Sequence, residues 1–264
     1  MNLKISPIPA FADNYIWLLE PGGSNRVCVV DPGDAEPVLA LLESRQLVLD
    51  TLLITHHHAD HTGGIKALLH RYPGAQVYGP AGSSIEGITR PLGDGDPLSL
   101  FGHDFTVLTV PGHTLDHIAY YSAHAGPGGS GVLFCGDTLF AAGCGRLFEG
   151  SPEVMHASLS RLAALPADTR VYCAHEYTLA NLQFSLAVEP ENEDTAQRLE
   201  TDAKARQAGL PTLPSTIGLE LRTNPFLRCH MEVIQRTVRE RTGTGSSEVE
   251  VFAHLRQWKD TFTA

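Results

Sequence analysis

Cysteine is scarce and unpaired. The five residues Cys28, Cys135, Cys144, Cys173 and Cys229 are odd in number and never spaced Cys-x-x-Cys. That speaks against a disulfide framework and a thiolate zinc site; several lie in apolar runs and read as small buried residues. Basic charge is also short. Nineteen lysines and arginines face 30 acids, a formal net charge of −11. General nucleic-acid binding needs a basic surface, so that class is set aside. Any cations lining a site must be local exceptions. Long apolar runs are missing too: near the start there is only Tyr15 to Leu19, preceded by Asp13. This reads as neither a signal peptide nor a membrane span. A reduced, cytoplasmic protein without membrane attachment is expected. There is no internal repeat and no low-complexity tract.

What is present is ordinary globular composition, 42% hydrophobic and 19% charged over 264 residues, enough for one large domain or two. Strands are expected at Ile5 to Pro9, Tyr15 to Leu19 and Val27 to Val30, and a helix after Asp31-Pro32-Gly33-Asp34. Leu98 to Leu100 and Phe105 to Val110 form a hairpin about a turn at Phe101 to Asp104. Ser151-Pro152-Glu153 starts a helix running to about Leu165. From Thr178 onward apolar residues recur at helical spacing, with Ser246-Ser247-Glu248 capping the last helix. The expected division is residues 1–177, α/β, followed by a helical domain over 178–264.

The stretch Thr55-His56-His57-His58-Ala59-Asp60-His61-Thr62-Gly63-Gly64 carries the chemistry. It lies between a buried strand, Thr51 to Thr55, and a helix, Ile65 to Arg71, where α/β proteins place their sites. In an extended segment His56, His58 and Asp60 face one way, and the chain must turn to bring His61 round. Three more strands end in a ligand type: His113 in Pro-Gly-His-Thr, Asp137 in Gly-Asp-Thr, and His175. Seven ligands exceed one tetrahedral zinc. Two metals sharing a carboxylate fit better, with Asp137 the natural bridge. Zinc, iron and manganese all accept such donors. Two such ions lower the pKa of a water between them and suit hydrolysis. His57 is out of phase and reads as a supporting group; His117 is unassigned; Asp31 is a turn residue or a support to a ligand. His70, His103, His124, His156, His230 and His254 read as surface or packing residues.

The Thr-His-His-His-Ala-Asp-His, Pro-Gly-His-Thr and Gly-Asp-Thr segments with the late histidine resemble the metallo-β-lactamase superfamily. Ala12-Asp13-Asn14-Tyr15, Phe140 to Arg146, Cys173 to Thr178, Leu182-Gln183-Phe184, Glu189-Pro190-Glu191-Asn192 and Arg222 to Arg228 narrow the resemblance to glyoxalase II, the hydroxyacylglutathione hydrolases. It spans nearly the whole chain. It implies an αββα sandwich followed by a smaller all-helical domain that binds substrate. It also implies two divalent ions, zinc before iron or manganese. One would take His56, His58 and His113, the other Asp60, His61 and His175, with Asp137 bridging; Asp60 and Asp137 are the expected catalytic carboxylates. The implied substrate is the glutathione thioester of D-lactate, in the second step of methylglyoxal detoxification. Apart from the resemblance, a monomer is expected. Arg146, Phe148, Tyr177, Arg256 and Lys259 stand where that family binds glutathione. Phe148 replaces a tyrosine found in many members, which removes a phenolic hydroxyl. Apart from the resemblance, Arg256 and Lys259 read as a solvated helix face. Lactonase, mononuclear-iron persulfide dioxygenase and non-catalytic metal-binding roles are the competing expectations.

Overall fold

The computed structural model describes residues 3–245 and 247–263; Ser246, part of the expected cap of the last helix, lies outside them. Three strands open the chain, β1 (Lys4–Ala10), β2 (Asn14–Glu20) and β3 (Arg26–Val30). Helix α1 (Ala35–Ser44) and strand β4 (Val48–Leu53) lead to the single turn α2 (Ala59–Thr62) and to α3 (Ile65–Arg71). Strands β5 (Gln76–Pro80), β6 (Arg90–Leu92), β7 (Pro97–Leu100), β8 (His103–Thr109), β9 (Ile118–Ser122) and β10 (Val132–Gly136) follow. A short hairpin, β11 (Leu139–Phe140) and β12 (Gly143–Cys144), precedes α4 (Pro152–Ala163) and β13 (Arg170–Cys173). Helices then dominate: α5 (Thr178–Val188), α6 (Glu193–Gln207), α7 (Ile217–Thr223), α8 (Glu232–Thr242) and α9 (Glu248–Thr261).

The chain divides into two compact units. One takes the chain through Val110, Asp116–Gly136 and Arg170–His175; the other takes Pro111–Leu115, Asp137–Thr169 and the chain from Glu176. The first unit holds a sheet in the order β1-β2-β3-β4-β5-β6, antiparallel up to β3 and parallel from β3 to β6. Its second sheet runs β13-β10-β9-β8-β7, parallel only between β13 and β10. Alternation explains the packing. Ile16, Leu18, Val27, Val29, Leu52 and Val77 pack with Val38 and Leu42 of α1 and Ile65 and Leu68 of α3. The intervening Trp17, Leu19, Cys28, Val30 and Leu53 are equally buried, because the other face meets the second sheet. There Trp17 lies edge-on to Tyr172, centroids 4.9 Å apart, and its Nε1 donates to the Cys173 carbonyl at 2.9 Å. Strands covered on both faces read as unbroken apolar runs, as Tyr15 to Leu19 and Val27 to Val30 do. Burial raises the Cys28 thiol well above its ordinary pKa, so it is an inert packing group.

The β7–β8 hairpin is tighter than the sequence suggests. Leu100 pairs with His103, and only Phe101 and Gly102 turn, both left-handed with φ of 51° and 81°. Two such residues make the turn whose twist matches the strands. His103 and Asp104 therefore begin the strand rather than belonging to the turn.

In the second unit α4 starts as read, Ser151 accepting from the Val154 amide with Pro152 in the first turn. Helix α7 is new. Pro214 and Pro225 bracket it and hide its short period, while Thr216 caps it by accepting from Leu219 N at 3.2 Å. Phe226 stacks on Phe184 at 5.9 Å and meets Phe252 edge-on at 5.7 Å, forming a buried aromatic core. Arg228 grips Glu189 with two nitrogens, at 3.1 and 2.7 Å, and Asn192 donates to the same carboxylate at 2.8 Å. Ser247 and Glu250 close a capping box on α9.

Candidate metal centre

Ile54 and Thr55 carry the chain out of β4. The backbone is still extended at His58, but α2 begins at Ala59, so Asp60 and His61 come from a helical turn. The expectation of an extended run through Asp60 is corrected on that point. The turn is tucked over the Asp31–Asp34 loop: Gly64 N donates to Pro32 O at 2.9 Å. A Cβ on Gly64 would stand 2.4 Å from that oxygen, so only glycine fits.

In the first unit Asp60, His61 and His175 offer ligand atoms that all lie within 4.8 Å of one another. Nε2 of His61 and Nε2 of His175 are each 3.5 Å from Asp60 Oδ2. That is long for a hydrogen bond. Two atoms bound at about 2.1 Å to one tetrahedral ion stand about 3.4 Å apart, so the spacing suits a shared ion. The far ring nitrogens are engaged. His61 Nδ1 lies 3.0 Å from Asp31 Oδ2, and His175 Nδ1 lies 2.8 Å from Asp13 Oδ1. A carboxylate only accepts, so each Nδ1 carries the proton and each Nε2 the lone pair, the tautomer a metal ligand needs. Buried Asp31 also accepts from Thr55 N at 2.8 Å and Thr55 Oγ1 at 2.7 Å, so it holds His61 as well as the turn. Asn14 Nδ2 donates to Asp60 Oδ2 at 3.1 Å. Ligand atoms of His56 lie within 4.8 Å of those of His58 and of His61, and His56 Nδ1 is 3.0 Å from Thr55 Oγ1. His57 faces elsewhere, its Nδ1 2.9 Å from Asp116 Oδ1. Sequence reasoning gave Asp13 and Asn14 no role, although they stand where β1 turns into β2.

In the second unit His113 and Asp137 stand together, Nε2 to Oδ2 3.4 Å. His113 Nδ1 lies 2.8 Å from the Arg146 carbonyl, which again leaves Nε2 for a ligand. The hairpin that follows Asp137 is held from several sides. Ala142 N donates to Glu220 at 2.7 Å, and Asn181 donates to Ala141 O at 3.0 Å. Asn224 donates to Gly143 O at 2.9 Å and Arg256 to Cys144 O at 2.8 Å.

Arg256 is therefore buried, which rules out a solvated helix face for it. Its other terminal nitrogen meets Asp260 Oδ1 at 3.0 Å, and Arg146 Nε reaches the same oxygen at 3.7 Å. Lys259 donates to Ala180 O at 3.1 Å. Burial, then the charges of Arg256 and Arg146, lower its pKa to about 8. Exposed Phe148 lies 5.2 Å from the His113 ring and Tyr177 edge-on to Phe140 at 5.4 Å. His156 packs on Phe252, and His254 Nε2 lies 2.9 Å from Thr244 Oγ1, in the packing and surface roles expected of them.

Two sheets packed face to face, with histidines and carboxylates gathered at their strand ends, define a metal-binding α/β sandwich. Residues 11–175 match the model of the metallo-β-lactamase superfamily and residues 176–262 that of the hydroxyacylglutathione hydrolase C-terminus. A hydroxyacylglutathione hydrolase of Pseudomonas fluorescens is 54% identical, covering 98% of this chain and all of that one. One of Photobacterium profundum is 51% identical over 98% of this chain and all of that one. Among solved structures, ETHE1 from Myxococcus xanthus superposes with a TM-score of 0.66 at 24% identity, over 97% of this chain and 90% of that one. TTHA1623, in a di-iron-bound form, gives 0.59 at 29% identity, over 84% and 100%. The chain belongs to the hydroxyacylglutathione hydrolase family of the metallo-β-lactamase superfamily. Its histidine and aspartate groups are able to hold divalent metal ions. No helix among the described residues is long and apolar enough to cross a membrane.

Proposed function

We propose that the chain hydrolyses S-(2-hydroxyacyl)glutathione thioesters, S-D-lactoylglutathione foremost, to glutathione and the free hydroxy acid. In this reading residues 1–177 form the catalytic domain and 178–264 the substrate-binding domain. His56, His58 and His113 would hold one divalent ion and Asp60, His61 and His175 the other, with Asp137 available to both. The observation that carries it is the Asp60–His61–His175 group, spaced for one ion and backed by Asp13 and Asp31. Identity above 50% along the full length of named hydroxyacylglutathione hydrolases supports the substrate. Imidazole and carboxylate donors accept zinc, iron and manganese; zinc is placed first here, and the similar structure TTHA1623 holds iron.

Divalent ions held there would supply a Lewis acid for the thioester carbonyl and lower the pKa of a bound water toward neutrality. The chain's own part is positional. Asp31 and Asp13 fix the tautomers of His61 and His175, and Asn14 orients Asp60. Arg146, Arg256 and Lys259 supply local positive charge for the carboxylates of glutathione in an otherwise acidic protein. Phe148 and Tyr177 offer aromatic surface to its backbone. A thiol leaves with a pKa near 8.5, so no dedicated acid is needed for the departing sulfur.

The test is a panel of thioesters assayed with metal quantification on the same sample. Turnover of S-D-lactoylglutathione with two metal equivalents is expected. Asp137→Ala is expected to lose more than the 10–100-fold that removing an outer partner of a ligand costs. One iron per chain with oxygen consumption, or retained turnover in Asp137→Ala, overturns the reading.

A further inference from the structure

The function leaves His57, Asp116 and His117 without a task, yet these residues pair rung by rung with the ligand loop. Thr55 O accepts from Ile118 N at 2.9 Å. One residue on, the His56 ring stacks on His117, centroids 4.5 Å apart and planes 14° apart. One further, His57 Nδ1 lies 2.9 Å from Asp116 Oδ1. Each step forward along 55–57 is a step backward along 118–116. The last rung has its own anchor, since Ser83 Oγ donates to Asp116 Oδ2 at 2.6 Å. Both oxygens of that carboxylate are thus engaged.

We propose that Asp116 and His117 are positioning residues that set the direction of the His56 and His58 imidazoles; this rests on the metal-centre reading above. The stack with buried His117 fixes the plane of His56. His117 is itself fixed, its Nδ1 3.1 Å from Ile118 O. Gly136, with φ of 46°, lets it approach: a Cβ there would stand 2.9 Å from the His117 ring and 2.4 Å from Thr55 Oγ1. The Asp116 clamp pins His57, the residue between the two ligands, so the peptides on either side inherit its orientation. Serine, aspartate and histidine together invite a nucleophile reading, but the order is wrong for one. The serine hydroxyl bonds the carboxylate, not the imidazole, and gains no base. Asp116 is an anchor, reached through Ser83 on one side and His57 on the other.

The experiment compares metal-loaded wild type with Asp116→Ala, Asp116→Asn, Ser83→Ala and His117→Leu. Chelator competition reads affinity, and the visible spectrum of the cobalt-substituted protein reads ligand geometry. Asp116→Ala and His117→Leu are expected to bind about 10-fold more weakly with an altered spectrum. Asp116→Asn keeps an oxygen for His57 and is expected to restore most of the affinity. Ser83→Ala, on a loop, is expected to fold normally and to weaken binding a few-fold, so it carries the test if a larger change fails to fold. Wild-type affinity and spectrum in Ser83→Ala and Asp116→Ala overturn the proposal, and so does Asp116→Asn as weak as Asp116→Ala. These readouts need no substrate. A wild type that binds metal but cleaves no thioester removes the hydrolase reading and leaves this comparison to stand or fall by itself.

Discussion

Asp13 and Asp31 each accept from the Nδ1 of a histidine whose Nε2 faces Asp60, but Asp31 is buried while the Asp13 side chain is 37% exposed. Their variants should therefore part company. Asp13→Ala is expected to weaken metal binding by about 10–100-fold while unfolding free energy stays within about 0.5 kcal/mol. Asp31→Ala is expected to cost about 1–3 kcal/mol as well, because the amide and hydroxyl of Thr55 lose their acceptor. Chelator competition and urea unfolding of both metal-free variants check this; unchanged affinity in Asp13→Ala contradicts it. Lys259 gives a pH signature. Its pKa, lowered to about 8 chiefly by burial, means the ammonium that attracts a carboxylate is lost as pH rises through that value. kcat/KM is expected to fall above about pH 8 while kcat, read with substrate bound, holds to higher pH. Lys259→Met should erase that step. For folding the sign is opposite: the charged form is disfavoured in the native state, so the penalty is full below about pH 8 and is relieved toward the ordinary value of 10.5.

Among the elements, the hairpin β11–β12 shows what sequence patterns reach and where they stop. Local patterns located the strands of both sheets except β6, which lies in a Gly- and Pro-rich stretch, and ligand density located the 56–61 loop, because both signals are local. The hairpin is two residues a side, with Ala142 left-handed at φ 54°, and no local pattern explains it. Its partners are distant: Glu220 is 78 residues from Ala142 and Asn224 is 81 from Gly143. Resemblance marks Asp13, but its contact is out of local reach for the same reason, since His175 lies 162 residues away. Resemblance marked the Asn-Pro-Phe segment, but only the structure gives it work. Asn224 donates to Phe140 O, Gly143 O and Glu220, and its own oxygen accepts from Phe226 N. Asn224→Ala is expected to destabilise the protein by at least about 2 kcal/mol, since two buried carbonyls and a cap are affected. Loss of under about 0.5 kcal/mol in urea unfolding would show that the hairpin is held by other means.

For the whole molecule, metal loading is the variable with the largest expected effect. The proposed ligand set is His56, His58, Asp60, His61, His113, Asp137 and His175. Each ion bound by the native chain and not by the unfolded one stabilises by about 4 kcal/mol at a thousandfold excess over its Kd. At this length that is about 8–16 °C in thermal midpoint. Calorimetry of the metal-loaded protein is expected to show a higher midpoint than that of the chelator-stripped protein. Readdition of zinc should restore that midpoint before any substrate is present. Asp137→Ala is expected to behave as the stripped protein does even in excess zinc, because the shared carboxylate is gone. If stripping moves the midpoint by less than a few degrees, the native chain does not hold the ions tightly and the seven-ligand assignment is wrong.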